Sequence, residues 1–271
     1  MLKNILIFFF IPFIQNVSAQ KQDTCLYRFS YLFEKYDSLT HKTGKDSFVV
    51  ESGNHSSVCY SSITRNNDTI LAAYKKKVME IYGDGKTKYV NLTDYPVLAK
   101  GSTQIIYKNS AKNEIVVTDK VVTDKFFYYD SMKLFTWQIA ADTQTVEGYS
   151  CQKAECNFRG RDYTAWFTYQ IPISSGPLKF GGLPGLICKL YDNTKSFTFS
   201  LISFEKATVK DLIVIDTTGF QKTTRKKLYM MRKAFFENPI AFINAQGNAT
   251  VTLTSGNNTS QRKHDTLELE Y

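Results

Sequence analysis

The sequence predicts a mainly β, antiparallel fold, a barrel or a sandwich, with one amphipathic helix near the C-terminus. Three observations carry this. Tyrosine, phenylalanine, valine and threonine recur with period-two alternation through most of the chain, the pattern of half-buried strands. Glycine-containing turns separate these runs, and a 3.6-residue apolar spacing stands out in only one stretch.

Before the first strand, Lys3 is followed by the apolar run Ile5 to Ile14 and then by Asn16-Val-Ser-Ala19. A basic start, a short apolar stretch and a small-x-small site are the parts of a secretory signal, so residues 1–19 are expected to be removed on export. The run holds ten residues, too few to span a bilayer. Strands are then expected at Thr24 to Phe33, Ser47 to Glu51, Ser56 to Thr64, Val78 to Tyr82, Thr87 to Leu92, Gln104 to Lys108, Glu114 to Val122 and Phe126 to Tyr129. Gly83-Asp-Gly-Lys86 marks a hairpin between the fourth and fifth of these.

A denser second half follows: Thr136 to Ile139, Glu147 to Arg159, Arg161 to Ile171, Leu186 to Asp192, Ser196 to Lys206 and Leu212 to Asp216, with Gly160 at one turn. Tyr163, Ala165, Phe167 and Tyr169 share one face of their strand, and Thr164, Trp166 and Thr168 the other. The helix runs from about Thr224 to Asn238. Thr223 or Thr224 caps it, Leu228, Met231 and Phe235 form its apolar stripe, and Pro239 ends it. Arg225, Arg232, Lys226 and Lys233 give it a basic flank, expected to be an ordinary solvated face. The Asn-, Ser-, Thr- and Gly-rich segment from Gly247 to Lys263 is expected to be flexible or a hairpin before Leu267-Glu-Leu-Glu-Tyr271. No repeat or linker appears, so residues 20–271 are expected to form one β-rich domain.

Removing Lys3 leaves 33 basic against 25 acidic residues, a net charge of +8 for the mature chain. This excess favours anionic surfaces or partners and serves solubility equally well. Five cysteines in a chain bound for an oxidising compartment make Cys25, Cys59, Cys151 and Cys188 disulfide candidates, with Cys25–Cys59 the preferred bridge. Cys151 and Cys156, five apart, face opposite sides if they lie on one unbroken strand. There is no C-x-x-C, and His41, His55 and His264 have no ligand spacing, so no metal is expected. Neither a Gly-x-Ser-x-Gly elbow nor a His-Glu-x-x-His nor a phosphate-cradling loop is present, which places an enzyme behind a binding protein. No cofactor and no nucleic-acid partner is expected.

The strings Gly148-Tyr-Ser-Cys-Gln-Lys-Ala154, Phe158-Arg-Gly-Arg161, Ala165-Trp-Phe-Thr168, Ile171-Pro-Ile173 and Gly176-Pro-Leu-Lys-Phe-Gly-Gly-Leu-Pro-Gly-Leu-Ile187 resemble the signature of the GLPGLI family of exported bacterial proteins. The hexapeptide Gly182, Leu183, Pro184, Gly185, Leu186 and Ile187 is present intact. Lys222-Thr-Thr-Arg225, Phe236-Glu-Asn-Pro239 and Leu267-Glu-Leu-Glu270 extend the agreement. The resemblance implies an exported protein of Gram-negative bacteria, in the periplasm, at the periplasmic face of the outer membrane or secreted, from a family of unknown function often encoded near outer-membrane receptor or transport genes. At the level of fold alone, consecutive strands ending in a Gly-Leu-Pro-Gly-Leu loop resemble the half-barrel of LolA-like lipoprotein carriers.

Four glycines and two prolines, Pro177 and Pro184, between Gly176 and Gly185 force an irregular path, with Phe180, Leu183, Leu186 and Ile187 available to plug an apolar space. The loop therefore either closes one end of the barrel or covers a hydrophobic cavity. In the second case Trp137 and Trp166 are wall residues, and Arg159, Arg161 and Lys179 either meet an anionic head group or cap the loop's carbonyls. The expected ligand is a lipid or an apolar peptide; the expected alternative is an accessory role in an outer-membrane complex.

Overall fold

The computed structural model describes residues 23–82, 96–245 and 267–268. The leader 1–19, the turn 83–86, the strand expected at 87–92 and the segment 247–263 lie outside these.

The chain builds its sheet from two meanders. The first comprises β2 (Tyr27–Asp37), β3 (Lys42–Ser52), β4 (Ser56–Ser61), β5 (Ile105–Asn109), β6 (Glu114–Val121) and β7 (Asp124–Ser131). The second comprises β8 (Gln138–Val146), β9 (Tyr149–Phe158), β10 (Arg161–Thr168), β11 (Leu186–Asp192) and β12 (Phe197–Lys206). Residues 132–137 carry the chain from one edge to the other, and β12 then returns to pair with β2. With β14 (Gln221–Lys222) added parallel to β7, the order is β14-β7-β6-β5-β4-β3-β2-β12-β11-β10-β9-β8. A two-stranded sheet of β1 (Asp23–Thr24) and β13 (Leu212–Ile213) lies apart.

The large sheet is open, but it is strongly curled. In its order β7 and β9 stand nine places apart, which in a flat sheet is roughly 43 Å at the usual strand spacing. Yet Arg159, directly after β9, holds Asp130 of β7 at 2.8 Å. The edges therefore approach one another around a concave core, and a half-barrel rather than a two-sheet sandwich is formed. Fully buried Phe29, Tyr31, Ile106, Val117, Phe167 and Phe199 share that core. Alternation along each strand selects the face turned to it. Where a residue is added the pattern slips: Ile202, the extra residue between paired Leu201 and Ser203, is left exposed.

Three helices are present among the described residues where one was expected. α1 (Ser62–Tyr82) replaces the end of the strand placed at Ser56 to Thr64 and all of the one placed at Val78 to Tyr82. Ser61 stops β4, because its Oγ accepts the Thr64 amide at 3.1 Å as a helix cap and donates to Asp46 at 2.8 Å. The helix lays only a half-buried stripe of Ile63, Asn67, Ile70, Leu71, Tyr74 and Val78 against the protein. Gly101 lets it approach, since a Cβ there would stand 2.7 Å from Ser61 Oγ and 2.9 Å from the Ile63 Cβ.

α2 (Arg225–Glu237) matches the expected helix, with Thr224 Oγ1 accepting the Lys227 amide at 3.2 Å and Leu228 buried. Pro239 opens α3 (Pro239–Ala245) rather than ending the helical region; Asn238, the last cap of α2, accepts the Ala241 amide at 3.0 Å through Oδ1.

The expected Cys25–Cys59 bridge is not formed; all five cysteines are buried free thiols. Neighbours on a strand face opposite ways, and Cys25 packs with Val58 in a small cluster while Cys59, the next residue, points into the main core. Cys151 of β9 and Cys188 of β11 share a hydrogen bond that lowers the first thiol's pKa and raises the second's. They flank β10, so their backbones are roughly 10 Å apart by strand spacing, beyond ordinary disulfide reach.

Candidate functional site

The concave face is filled from above by the segment between β10 and β11. Its hexapeptide divides its work residue by residue. Gly182 adopts φ +86°, and a Cβ on Gly185 would lie 2.0 Å from the Thr168 carbonyl oxygen, so each position calls for glycine. Leu183, Leu186 and Ile187 are buried plugs (1%, 0% and 0% exposed). Pro184 does not join them. It stands exposed in the bend between buried Leu183 and buried Gly185, so the motif does not face the interior as a unit. The ring of Pro184 instead fixes φ at the bend, and thereby the direction in which its neighbours enter the core. Leu178, at φ 51°, is a leucine held in the left-handed region inside this loop.

Lys108 of β5 anchors the loop from below. Its Nζ donates to the Phe180 carbonyl at 2.6 Å and the Gly176 carbonyl at 3.4 Å. Burial pushes its pKa down to about 8. From the crossing segment, Trp137 Nε1 donates to the Gly181 carbonyl at 2.9 Å. Phe135 packs against Trp137, Phe158 and Phe180, with centroids 5.7, 4.6 and 4.9 Å away.

Between this loop, α2 and the strands remains a cavity of about 440 Å³. Phe33, Phe48, Phe197, Phe158 and Phe180 supply aromatic walls, with Ile106, Leu178 and Leu228 between them. Around them stand six cationic side chains, Lys35, Lys45, Lys100, Lys179, Arg225 and Arg232, against two carboxylates, Asp46 and Glu268. Asp46 is engaged by Ser61 and by the Ser102 amide, each at 2.8 Å. Arg232 is held by the fully buried Asp119, which also accepts from Thr103 at 2.6 Å.

At one side of the cavity five charges form a cluster. Asp130 accepts from Arg159 (2.8 Å) and Lys179 (3.1 Å); Glu268 accepts from Lys179 (2.6 Å), Arg159 (2.6 Å) and Arg225 (3.0 Å). The Lys179 ammonium also lies 5.1 Å from the Tyr128 ring centre. Burial works to raise both carboxyls, but Lys179 and Arg159 outweigh it and hold each below its ordinary value. Burial likewise works against the Lys179 charge and is overcome by Tyr128, Glu268 and Asp130.

Of the eight ligand-contacting residues expected from sequence, Phe180 and Lys179 line the cavity. Trp137 braces the loop, and Arg159 belongs to the charge cluster beside it. Leu183 and Leu186 are core. Arg161 turns away from the cluster to fully buried Asp192 at 2.8 Å, with its guanidinium 4.8 Å over Phe197. Trp166 faces away from the cavity, because strand alternation puts Tyr163, 4.8 Å from Phe180, on the inner side and Trp166 on the outer, near Tyr191 at 3.5 Å. The basic flank of α2 is also not a simple solvated face, since Arg225 and Arg232 are engaged by Glu268 and Asp119. Asp130, Phe33, Phe48 and Phe197 were not marked by the sequence, because only the curl of the sheet brings them together; Glu268 falls in the Leu267-Glu-Leu-Glu270 string of the resemblance, which gave it no role.

Residues 158–189 match the model of a family described as a protein of unknown function, Porph_ging. The matched segment runs from the end of β9 to β11 and contains the hexapeptide Gly182 to Ile187 on which the resemblance rests. None of the curated proteins compared with the sequence matches it. Among solved structures, PNGF-II in its C2 and P21 crystal forms overlaps 76% of this chain at TM-score 0.49, with 14% and 13% identity. This chain spans only 32% of the PNGF-II chain. A LolA superfamily protein from Nitrosomonas europaea overlaps 74% of this chain and 91% of its own at TM-score 0.26 and 10% identity.

Proposed function

We propose that the protein is a non-catalytic binding or carrier protein for an apolar ligand bearing an anionic group, acting in the periplasm or at the periplasmic face of the outer membrane. The observation that carries this reading is the cavity itself. Its aromatic walls reward burial of an apolar chain, and Lys179, Arg159 and Arg225, gathered at one side around two carboxylates, suit an anion at its border. Its volume lies within the range of small-molecule sites.

The test is titration of the purified protein with cis-parinaric acid, a fluorescent long-chain acid, beside Leu228→Trp, which extends a buried α2 side chain into the cavity. The wild type binds saturably at one site, and the variant binds at least tenfold more weakly while keeping a cooperative melt. Absence of saturable binding by the wild type rejects the reading.

A second reading, an accessory component of a membrane-protein complex, is favoured by the exposed apolar residues Val209, Leu212, Val214 and Ile215, a surface apart from the cavity. It predicts recovery of one stoichiometric membrane partner on crosslinking, lost when Leu212 and Val214 are changed to serine.

A further inference from the structure

The charge cluster is built by the sheet, the loop and α2, except for one member. Glu268 comes from a segment distant in sequence and arrives with Leu267. The Leu267 carbonyl accepts the Tyr163 hydroxyl at 2.5 Å, and its side chain packs on the main core beside the cavity. The two Glu268 oxygens are divided between partners: Oε1 takes Lys179, and Oε2 takes Arg159 and Arg225. Without Glu268, Arg159 and Lys179 share the single carboxylate of Asp130 in a largely buried place. Such an imbalance is costly and favours the entry of another anion where Glu268 leaves.

Resting on the binding function proposed above, we propose that the Glu268 subsite is the head-group site of the cavity. Its ligand is a single-chain amphiphile ending in a carboxylate, which displaces Leu267 and Glu268. The chain's own Leu267 and Glu268 are the resident occupants: an apolar side chain against the core and a carboxylate on Lys179, Arg159 and Arg225. The ligand reproduces both parts, its hydrocarbon taking the place of Leu267 and extending along the phenylalanine walls. Two divided carboxylate oxygens match a planar head group rather than a hydroxyl.

The experiment compares cis-parinaric acid with the corresponding alcohol on the full chain, on Glu268→Gln and on Arg225→Met. Wild type prefers the acid. Glu268→Gln weakens the internal competitor, so the competent fraction rises and the acid binds about tenfold more tightly, with a larger preference over the alcohol. Arg225→Met removes a cation from the site, and the preference shrinks. Because the two variants move the preference in opposite directions, general loss of folding does not mimic the result; thermal melts confirm the fold of each. Saturable binding of acid and alcohol with equal affinity in all three proteins overturns the head-group assignment and leaves the cavity's binding role intact. Failure of both probes to bind overturns the binding role and the assignment together.

Discussion

At the scale of single residues, the fold depends on charged groups placed where water cannot solvate them. Lys108 is buried under the loop, and burial holds its pKa at about 8, below the ordinary 10.5. Between those values the unfolded chain binds more protons than the folded one, so stability from this group rises with pH. The buried thiols of Cys59 and Cys156, pushed up by burial to about 11 and about 12, work the other way as pH approaches and passes 9. The amine is therefore read by difference: the stability of the wild type relative to Lys108→Met rises between pH 8 and 10.5. A difference that does not change with pH contradicts the buried amine. The Asp130 and Glu268 carboxyls are depressed, so their contribution is present above their ordinary values of 3.8 and 4.5 and is lost as pH falls below them. Asp130→Asn leaves Arg159 and Lys179 short of a partner and costs about 3 kcal/mol, measurable by urea denaturation at pH 7; the same variant loses less than wild type on moving from pH 5 to pH 3.

At the scale of elements, what was legible in the sequence follows local chemistry. The strands from Glu114 to Tyr129 and from Glu147 to Lys206 appear close to where alternation puts them. α2 appears because a threonine cap precedes a repeating apolar stripe, and Thr224→Ala is expected to cost about 1 kcal/mol, seen as a lower thermal midpoint. α1 was not legible. Its stripe is half-buried and interrupted by Asn67, and its β-branched and aromatic residues near Val78 mimic strand composition, so only the contacts with β3 and β4 reveal it. The loop from Gly176 to Ile187 was recognisable as special from its glycines and prolines, but the reason lies in how it packs. Which motif residues turn inward and that Pro184 turns outward depends on the bend itself, not on composition. The place a Gly185 Cβ would take is already filled by the Thr168 carbonyl. Gly185→Ala is thus expected to destabilise by about 3 kcal/mol, whereas Gly148→Ala, with open space for its Cβ but φ +81°, costs about 1 kcal/mol through backbone strain alone. Equal effects in urea denaturation would contradict the close approach.

At the scale of the whole molecule, an open twelve-stranded sheet gains a cavity because its ends are drawn together. Asp130 and Arg159 join strands nine places apart in the sheet, the loop fills one part of the concavity, and α2 roofs another. That long-range geometry is why the site was only partly legible. Phe180 and Lys179 belong to a recognisable motif, but Phe33, Phe48, Phe197 and Asp130 become neighbours only when the sheet curls. Trp166, expected as a cavity wall, is not among the lining residues, because one step along β10 reverses the direction of the side chain. That this cavity holds an amphiphilic anion is checked by native mass spectrometry of the protein isolated from the cells that make it, followed by solvent extraction. One copy of a long-chain acidic compound per protein is expected, lost from Leu228→Trp. A bare polypeptide mass from wild type, with nothing released into solvent, would contradict it.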